Sequence, residues 1–134
     1  MNPKEEKVKR KRIEWPIMFR SDMTMAILEG RKTETRRMSD KWGKLRKGDL
    51  LWVKKGMYGW KKDAKIWLEV QSKPRRVSIV HLTDDDARAE GVASAYDFLK
   101  LWDEIHPEDN ILRFEKPRPC PYVIKFRRVK HGYN

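Results

Sequence analysis

The chain has 134 residues, 39% of them charged, with a formal net charge of +12 at pH 7, six tryptophans and 10% aromatic residues. That length suits one domain, and the aromatic content excludes a wholly disordered polyelectrolyte, which is charged but poor in aromatics. A single cysteine, Cys120, excludes an internal disulfide framework, and no apolar run reaches transmembrane length.

Residues 1–13 read as a flexible basic arm and residues 14–134 as one folded domain. The first residues are charged with no apolar segment behind them, unlike a secretory signal, so a cytoplasmic location is expected. Residues 9–12 also suit a nuclear signal, although a basic arm is the commoner reading of such a run. The apolar run 16–19 predicts a first strand. Ser21 suits a helix N-cap, Met23, Ala26 and Ile27 share a helical face, and Gly30 stands where a C-cap belongs, which predicts a helix over 22–29. Residues 31–38 lack apolar periodicity and read as a basic loop or extended stretch. Gly48-Asp49 signals a turn, followed by a strand over 50–53. In 65–70, Ile66, Leu68 and Val70 alternate with Lys65, Trp67 and Glu69, as in a half-buried strand. A further strand is expected over 76–80.

Thr83 with Asp86 three residues on resembles a capping box, predicting a short helix over 84–90 that stops at Gly91. Ser94 and Asp97 repeat the signal, opening a helix that carries Phe98, Trp102 and Ile105 at helical spacing, with Leu101 beside them, and that Pro107 ends. The stretch 122–128 alternates again, with Tyr122, Ile124 and Phe126 on one face. Five or six short strands, unevenly interleaved with about three helices, argue for an α+β fold with a curled or closed sheet rather than a doubly wound one.

The surplus of lysine and arginine makes a positive field that attracts phosphate, and nucleic acid is its natural partner; the bland alternative is a surface simply rich in Lys and Glu. The pairs Lys54-Lys55, Lys61-Lys62, Arg75-Arg76 and Arg127-Arg128 could form a phosphate track, though singly they are ordinary surface charges. Trp52 and Trp102 are expected in the core. Trp15, Trp42 and Trp60 fall near loops, where one could stack on a base, but padding the barrel ends is the commoner role for each. His81, His106 and His131 lie far apart, and neither metal-ligand spacing nor a nucleotide-binding glycine pattern occurs, so no metal and no cofactor are expected. Asp84, Asp85 and Asp86 more often complement a helix dipole than bind a cation.

The stretch 27–37, ILEGRKTETRR, resembles the signature of ASCH domains, a branch of the PUA-like superfamily, which reads Gly-x-Lys-x-x-(Glu or Thr)-x-Arg. Gly30, Lys32, Thr35 and Arg37 fill those positions. The resemblance extends through GDLLWV at 48–53, the helical insert HLTDDDARAEG with YDFLKLWDEIHP, and the closing strand at 122–126. It implies a PUA-like β-barrel with helices packed outside and a cleft beside the signature. Members include small amidohydrolases that remove the acyl group of N(4)-acetylcytidine, suspected RNA-binding modules, and a reported ribonuclease. The amidohydrolase branch uses a lysine and a threonine of the signature and a glutamate of the helical insert, which correspond here to Lys32, Thr35 and Glu90. Thr35, where the broader pattern has Glu, moves the sequence toward that branch. The basic arm and the Trp- and Lys-rich segment 42–65 exceed the smallest amidohydrolases.

On this resemblance the partner is a modified nucleoside or RNA, with no membrane, no protein partner and a monomeric chain. Gly30, Arg31, Arg36 and Arg37 would bind substrate. Amide cleavage needs a nucleophile, a base and help for the oxyanion. A lysine becomes a base only when burial or nearby cations lower its pKa, and Arg31, Arg36 and Arg37 are close in sequence. A regular strand would point Lys32 and Thr35 to opposite sides, so the chemistry requires another backbone path between them. Read without the resemblance, Gly30 is a helix cap, Lys32 a solvated loop lysine, Thr35 a strand residue and Glu90 an exposed helix end; Arg37 binds a carbonyl or sits in an ion pair. The alternative function is an RNA-binding module, with or without ribonuclease activity.

Overall fold

Six strands and three α-helices make up the regular structure of the computed structural model, which describes residues 10–57, 59–113 and 117–130. In chain order the strands are β1 (Glu14–Ile17), β2 (Glu34–Arg37), β3 (Leu50–Val53), β4 (Trp67–Val70), β5 (Arg75–Arg76) and β6 (Tyr122–Val129). The helices are α1 (Ser21–Leu28), α2 (Asp84–Ala89) and α3 (Ala95–Ile105). The strands form one curled mixed sheet in the order β1-β3-β4-β6-β2, with β5 added on β6. Only β1 and β3 pair in parallel. The α+β fold of PUA-like barrel type expected from the sequence is observed, its strands forming a curled half-barrel.

The main core fills the concave side, where Ile17, Ile27, Leu51, Leu68, Ile124 and Phe126 meet. A second core lies beneath the helical insert and joins Ile79, Ala87, Phe98, Trp102 and Ile111. Both insert helices start where their caps require. Thr83 Oγ1 accepts from Asp86 N while Asp86 returns a bond to Thr83 N, and Ser94 Oγ accepts from Asp97 N. The turn at Gly48-Asp49 is fixed by the buried Asp49 carboxylate, which accepts from Arg46 N, Ile13 N and Arg10 Nη2 at 2.7, 3.0 and 2.9 Å. Residues 10–13 are thereby tied to β3; residues 1–9 of the expected arm, and His131, lie outside the described residues.

Several local expectations are corrected. Helix α1 begins at Ser21 itself, with Arg20 as N-cap, because Arg20 O accepts the first helical bond from Thr24 N. The strand expected over 76–80 is only the two residues of β5, after which Ser78 caps a 3₁₀ turn at Ile79–His81. Both faces of β4 are covered, because Trp67 packs with Leu50 and Trp52 in a third apolar cluster on the far side of the sheet. On α3, Phe98 and Trp102 are buried but Ile105 is exposed. Trp42 is core, set edge-on to Trp15 with ring centroids 6.1 Å apart, and Trp60 stays in solvent.

Candidate functional site

Segment 31–38, read as basic loop or extended chain, holds the site. Its last part is strand β2, paired antiparallel to β6 with Thr35 opposite Ile124. The side-chain bonds of β2 follow the two-residue alternation of a strand: Glu34 bonds Arg36 on one face, and Thr35 bonds Arg37 on the other. Lys32 precedes the strand, where Thr33 N bonds Ala89 O and Thr33 O accepts from Phe126 N. Lys32 lies just before the strand, and its ammonium bonds Glu34 O and Glu90, whereas the Thr35 hydroxyl is met by Arg37 on the other face of β2.

Lys32, Glu34, Arg36 and Glu90 form a buried box of two cations and two anions. Lys32 and Glu90 are each 4% exposed. Lys32 Nζ donates to Glu34 O and Glu90 O, both at 2.9 Å, and to Glu90 Oε1 at 3.0 Å. Arg36 Nη1 donates to Glu34 Oε1 at 3.0 Å and to Glu90 Oε2 at 2.8 Å. Glu90 reaches this position as the C-cap of α2, with Gly91 behind it at φ +98°. A Cβ on Gly91 would lie 3.2 Å from Ala26 and 3.4 Å from Lys32, so glycine both makes the left-handed turn and lets the insert close on Lys32. Burial pushes the Lys32 pKa below the ordinary lysine value; the Glu90 charge and hydrogen bond oppose that shift, and the Arg37 and Arg36 charges add to it.

Arg37 stands apart from the box. Its Nη2 donates to Met18 O at 2.6 Å and its Nε lies 3.5 Å from Thr35 Oγ1, at the limit of a hydrogen bond. The guanidinium sits 5.0 Å from the centre of the Phe19 ring, and Lys32 Nζ sits 5.6 Å from the same ring. Among the described residues no carboxylate forms an ion pair with Arg37. Burial lowers its pKa and Glu90 pulls it back, yet a guanidinium stays charged at any working pH. The four charges of the box balance, the half-exposed Asp86 lies 4.0 Å from Arg36 at its edge, and Arg37 adds a cation with no carboxylate in contact among the described residues.

These groups open into a cleft of about 560 Å³. Lys32, Thr35, Arg36, Arg37 and Glu90 line one side, and Phe19, Met23, Phe98, Leu101 and Trp102 are among the apolar groups lining the rest. A mostly apolar cavity with a few convergent polar groups is the usual form of a small-molecule site, for which ~300–1,000 Å³ is typical. Two expected substrate ligands are not in its wall. Gly30, at φ +79°, is the turn after α1, and Arg31 is exposed, bonded to Glu29 Oε1 and Gly91 O. Sequence reading missed Glu34, Phe19 and the aromatic wall. His106, Glu108 and Asp109 bring potential metal ligands within 4.8 Å of one another, but the Asp109 carboxylate already accepts from Trp102 Nε1 at 2.8 Å. No helix of the described residues is long and apolar enough to cross a membrane.

The curled sheet, the insert of two capped helices and the cleft beside β2 together make an α+β half-barrel whose fold is that of solved ASCH-type structures. No family model and no curated protein matches the sequence. Among solved structures, the chain is similar to an ASCH domain from Lactobacillus crispatus JV V101, at 20% identity and a TM-score of 0.57, over 89% of this chain and 81% of that one. It is also similar to hypothetical protein PH0355 (16% identity, TM-score 0.63, 87% of this chain and 100% of that one). A third is protein EF3133 from Enterococcus faecalis V583, a DUF984 protein (16% identity, TM-score 0.56, 95% and 82%). At these identities the likeness shows the fold.

Proposed function

We propose that the chain is an amide hydrolase that removes the acyl group from the exocyclic amine of a cytosine nucleoside, N(4)-acetylcytidine being the simplest substrate of that class. One observation carries this reading: Lys32, Thr35 and Glu90, the three residues matching the amidohydrolase positions, line the same cleft, and two of them are hydrogen-bonded. The cleft has room for a nucleoside, and its aromatic wall suits a pyrimidine ring.

In the proposed reaction Thr35 Oγ attacks the acyl carbon. Its proton passes to Lys32 Nζ, which acts as base in its deprotonated form and is held in place by Glu90. Arg37, within reach of Thr35 and without an ion-pair partner among the described residues, donates to the oxyanion. Lys32 then protonates the leaving ring amine as the C–N bond breaks, and the Thr35 ester is cleaved by water, which restores the hydroxyl and releases the carboxylic acid. The box holds the lysine and the carboxylate in contact.

Purified protein incubated with N(4)-acetylcytidine should remove the acylated chromophore, followed by absorbance. Thr35→Val keeps the shape of the buried side chain and removes only the hydroxyl; it should lower turnover at least about 100-fold with the fold intact. Wild-type turnover no faster than that of Thr35→Val excludes the proposal.

A further inference from the structure

The second feature of the molecule is a lysine loop between β3 and β4 with an exposed indole at its tip. Trp60 is 68% exposed and Met57 70% exposed, whereas each of the other described tryptophans is buried or half-buried. Around them stand Lys54, Lys55, Lys61, Lys62 and Lys65, with Asp63 the only acid. Lys61 pairs with Glu14; among the described residues the other four lysines have no ion-pair partner. The loop is held in shape. Asp63 N donates to Trp60 O at 3.0 Å, and Gly59 packs so closely that an added Cβ would lie 2.8 Å from the Lys55 backbone N and O.

The base of this loop adjoins the cleft, while Lys61, next to Trp60, reaches back along β1 to Glu14. β1 and β3 run parallel, with Ile17 opposite Val53, so the segments that follow them leave the same end of the sheet. Lys54 N donates to Ile17 O at 2.8 Å, and the next three residues after Ile17, namely Met18, Phe19 and Arg20, are cleft wall. A solvent-exposed indole flanked by unpaired lysines has the parts of a single-strand platform: a flat face for an unpaired base and cations for the phosphates beside it.

We propose that this loop binds single-stranded RNA beside the cleft, so that the acylated cytosine is taken from within a polynucleotide rather than as a free nucleoside. The choice of RNA rests on the proposed action on a ribonucleoside; the platform itself rests on the loop. The strand stacks one base on Trp60, lays its phosphates along Lys54, Lys55 and Lys62, and delivers a neighbouring base to the cleft.

Fluorescence anisotropy of a labelled 12-residue RNA, measured on the full chain over a range of salt, tests this. Trp60→Ala should weaken binding about 5- to 100-fold at unchanged salt slope, and Trp60→Tyr should restore much of it. The triple variant Lys54→Gln, Lys55→Gln, Lys62→Gln should flatten the slope of log K against log salt by about 2, at roughly 0.7 per charge. Both should hydrolyse free N(4)-acetylcytidine at the wild-type rate. RNA affinity unmoved by either variant overturns the proposal, as does a loss confined to binding of anionic lipid vesicles. Loop-dependent RNA binding without nucleoside turnover in the wild type leaves the platform standing and removes the amide hydrolase.

Discussion

Replacing Glu90 with glutamine is the most informative perturbation of the buried box. Each carboxylate oxygen of Glu90 meets one cation, Lys32 at 3.0 Å and Arg36 at 2.8 Å. A glutamine there has one carbonyl oxygen to offer, and its amide group must point a donor at the other cation. The box then holds the buried Lys32 and Arg36 against the single buried carboxylate of Glu34, with the half-exposed Asp86 4.0 Å from Arg36 at its edge. Leaving a buried ion without its partner costs about 3–5 kcal/mol, much more than a surface pair is worth. For a domain of this length that corresponds to a Tm drop of roughly 10–18 °C. Adding Lys32→Met to Glu90→Gln removes the stranded cation and leaves Arg36 balanced by Glu34. The double variant should therefore be more stable than Glu90→Gln alone, by about 1–3 kcal/mol in a double-mutant cycle. Chemical denaturation followed by tryptophan fluorescence reads all four proteins. Additive effects, with coupling below about 0.5 kcal/mol, would refute a box held together by its charges.

Two further outcomes follow from the same geometry. Burial lowers the Lys32 pKa, so the folded state binds fewer protons there than the unfolded chain does. The resulting cost is fully present below the folded pKa and fades as pH rises toward the unfolded value of 10.5, so the wild type should gain stability relative to Lys32→Met across that window. Over the same range kcat/KM should rise with pH and level off below 10.5. Arg37→Gln should cost roughly 10²–10³ in kcat with a smaller loss of stability than Glu90→Gln, since among the described residues Arg37 has no carboxylate partner and lies outside the box; a drop in Tm as large as that of Glu90→Gln would make it structural instead.

Local signals in the sequence were read well wherever one short motif decides the structure. Gly48-Asp49 before four apolar residues became β3 at the expected positions, and the Thr83 and Ser94 caps opened their helices. The insert's end at Gly91 also put Glu90 in reach of the signature lysine. Segment 31–38 was harder, because a strand whose buried faces are charged shows no apolar alternation. The alternation is present in Glu34 and Arg36 against Thr35 and Arg37, but it marks burial only once Glu90, 54 residues away from Arg36, supplies the counter-charge. Trp67 misled for a similar reason: a strand covered on both sides needs a second apolar layer, and the partners that provide it come from β3. That Lys32, Thr35 and Glu90 line one cleft was legible through a family likeness, while the aromatic wall was not, since its members come from the chain after β1 and from α3.

The three acceptors around Lys32 Nζ are all satisfied only by an ammonium, whereas the proposed reaction needs a free amine. Charge in the rest of the box decides how readily that proton leaves. Glu34→Gln removes an anion and raises the local potential, which disfavours the ammonium, so the rising limb of the pH–rate profile should move to lower pH. Arg36→Met removes a cation and leaves Glu34 and Glu90 facing Lys32 alone, so the limb should move to higher pH. A purely structural box predicts loss of stability in both variants and no such opposition. Measuring kcat/KM from pH 6 to about 10 for the two variants separates the cases, since opposed shifts require that the titrating group sit among these charges and shifts of the same sign would remove Lys32 from the role of base.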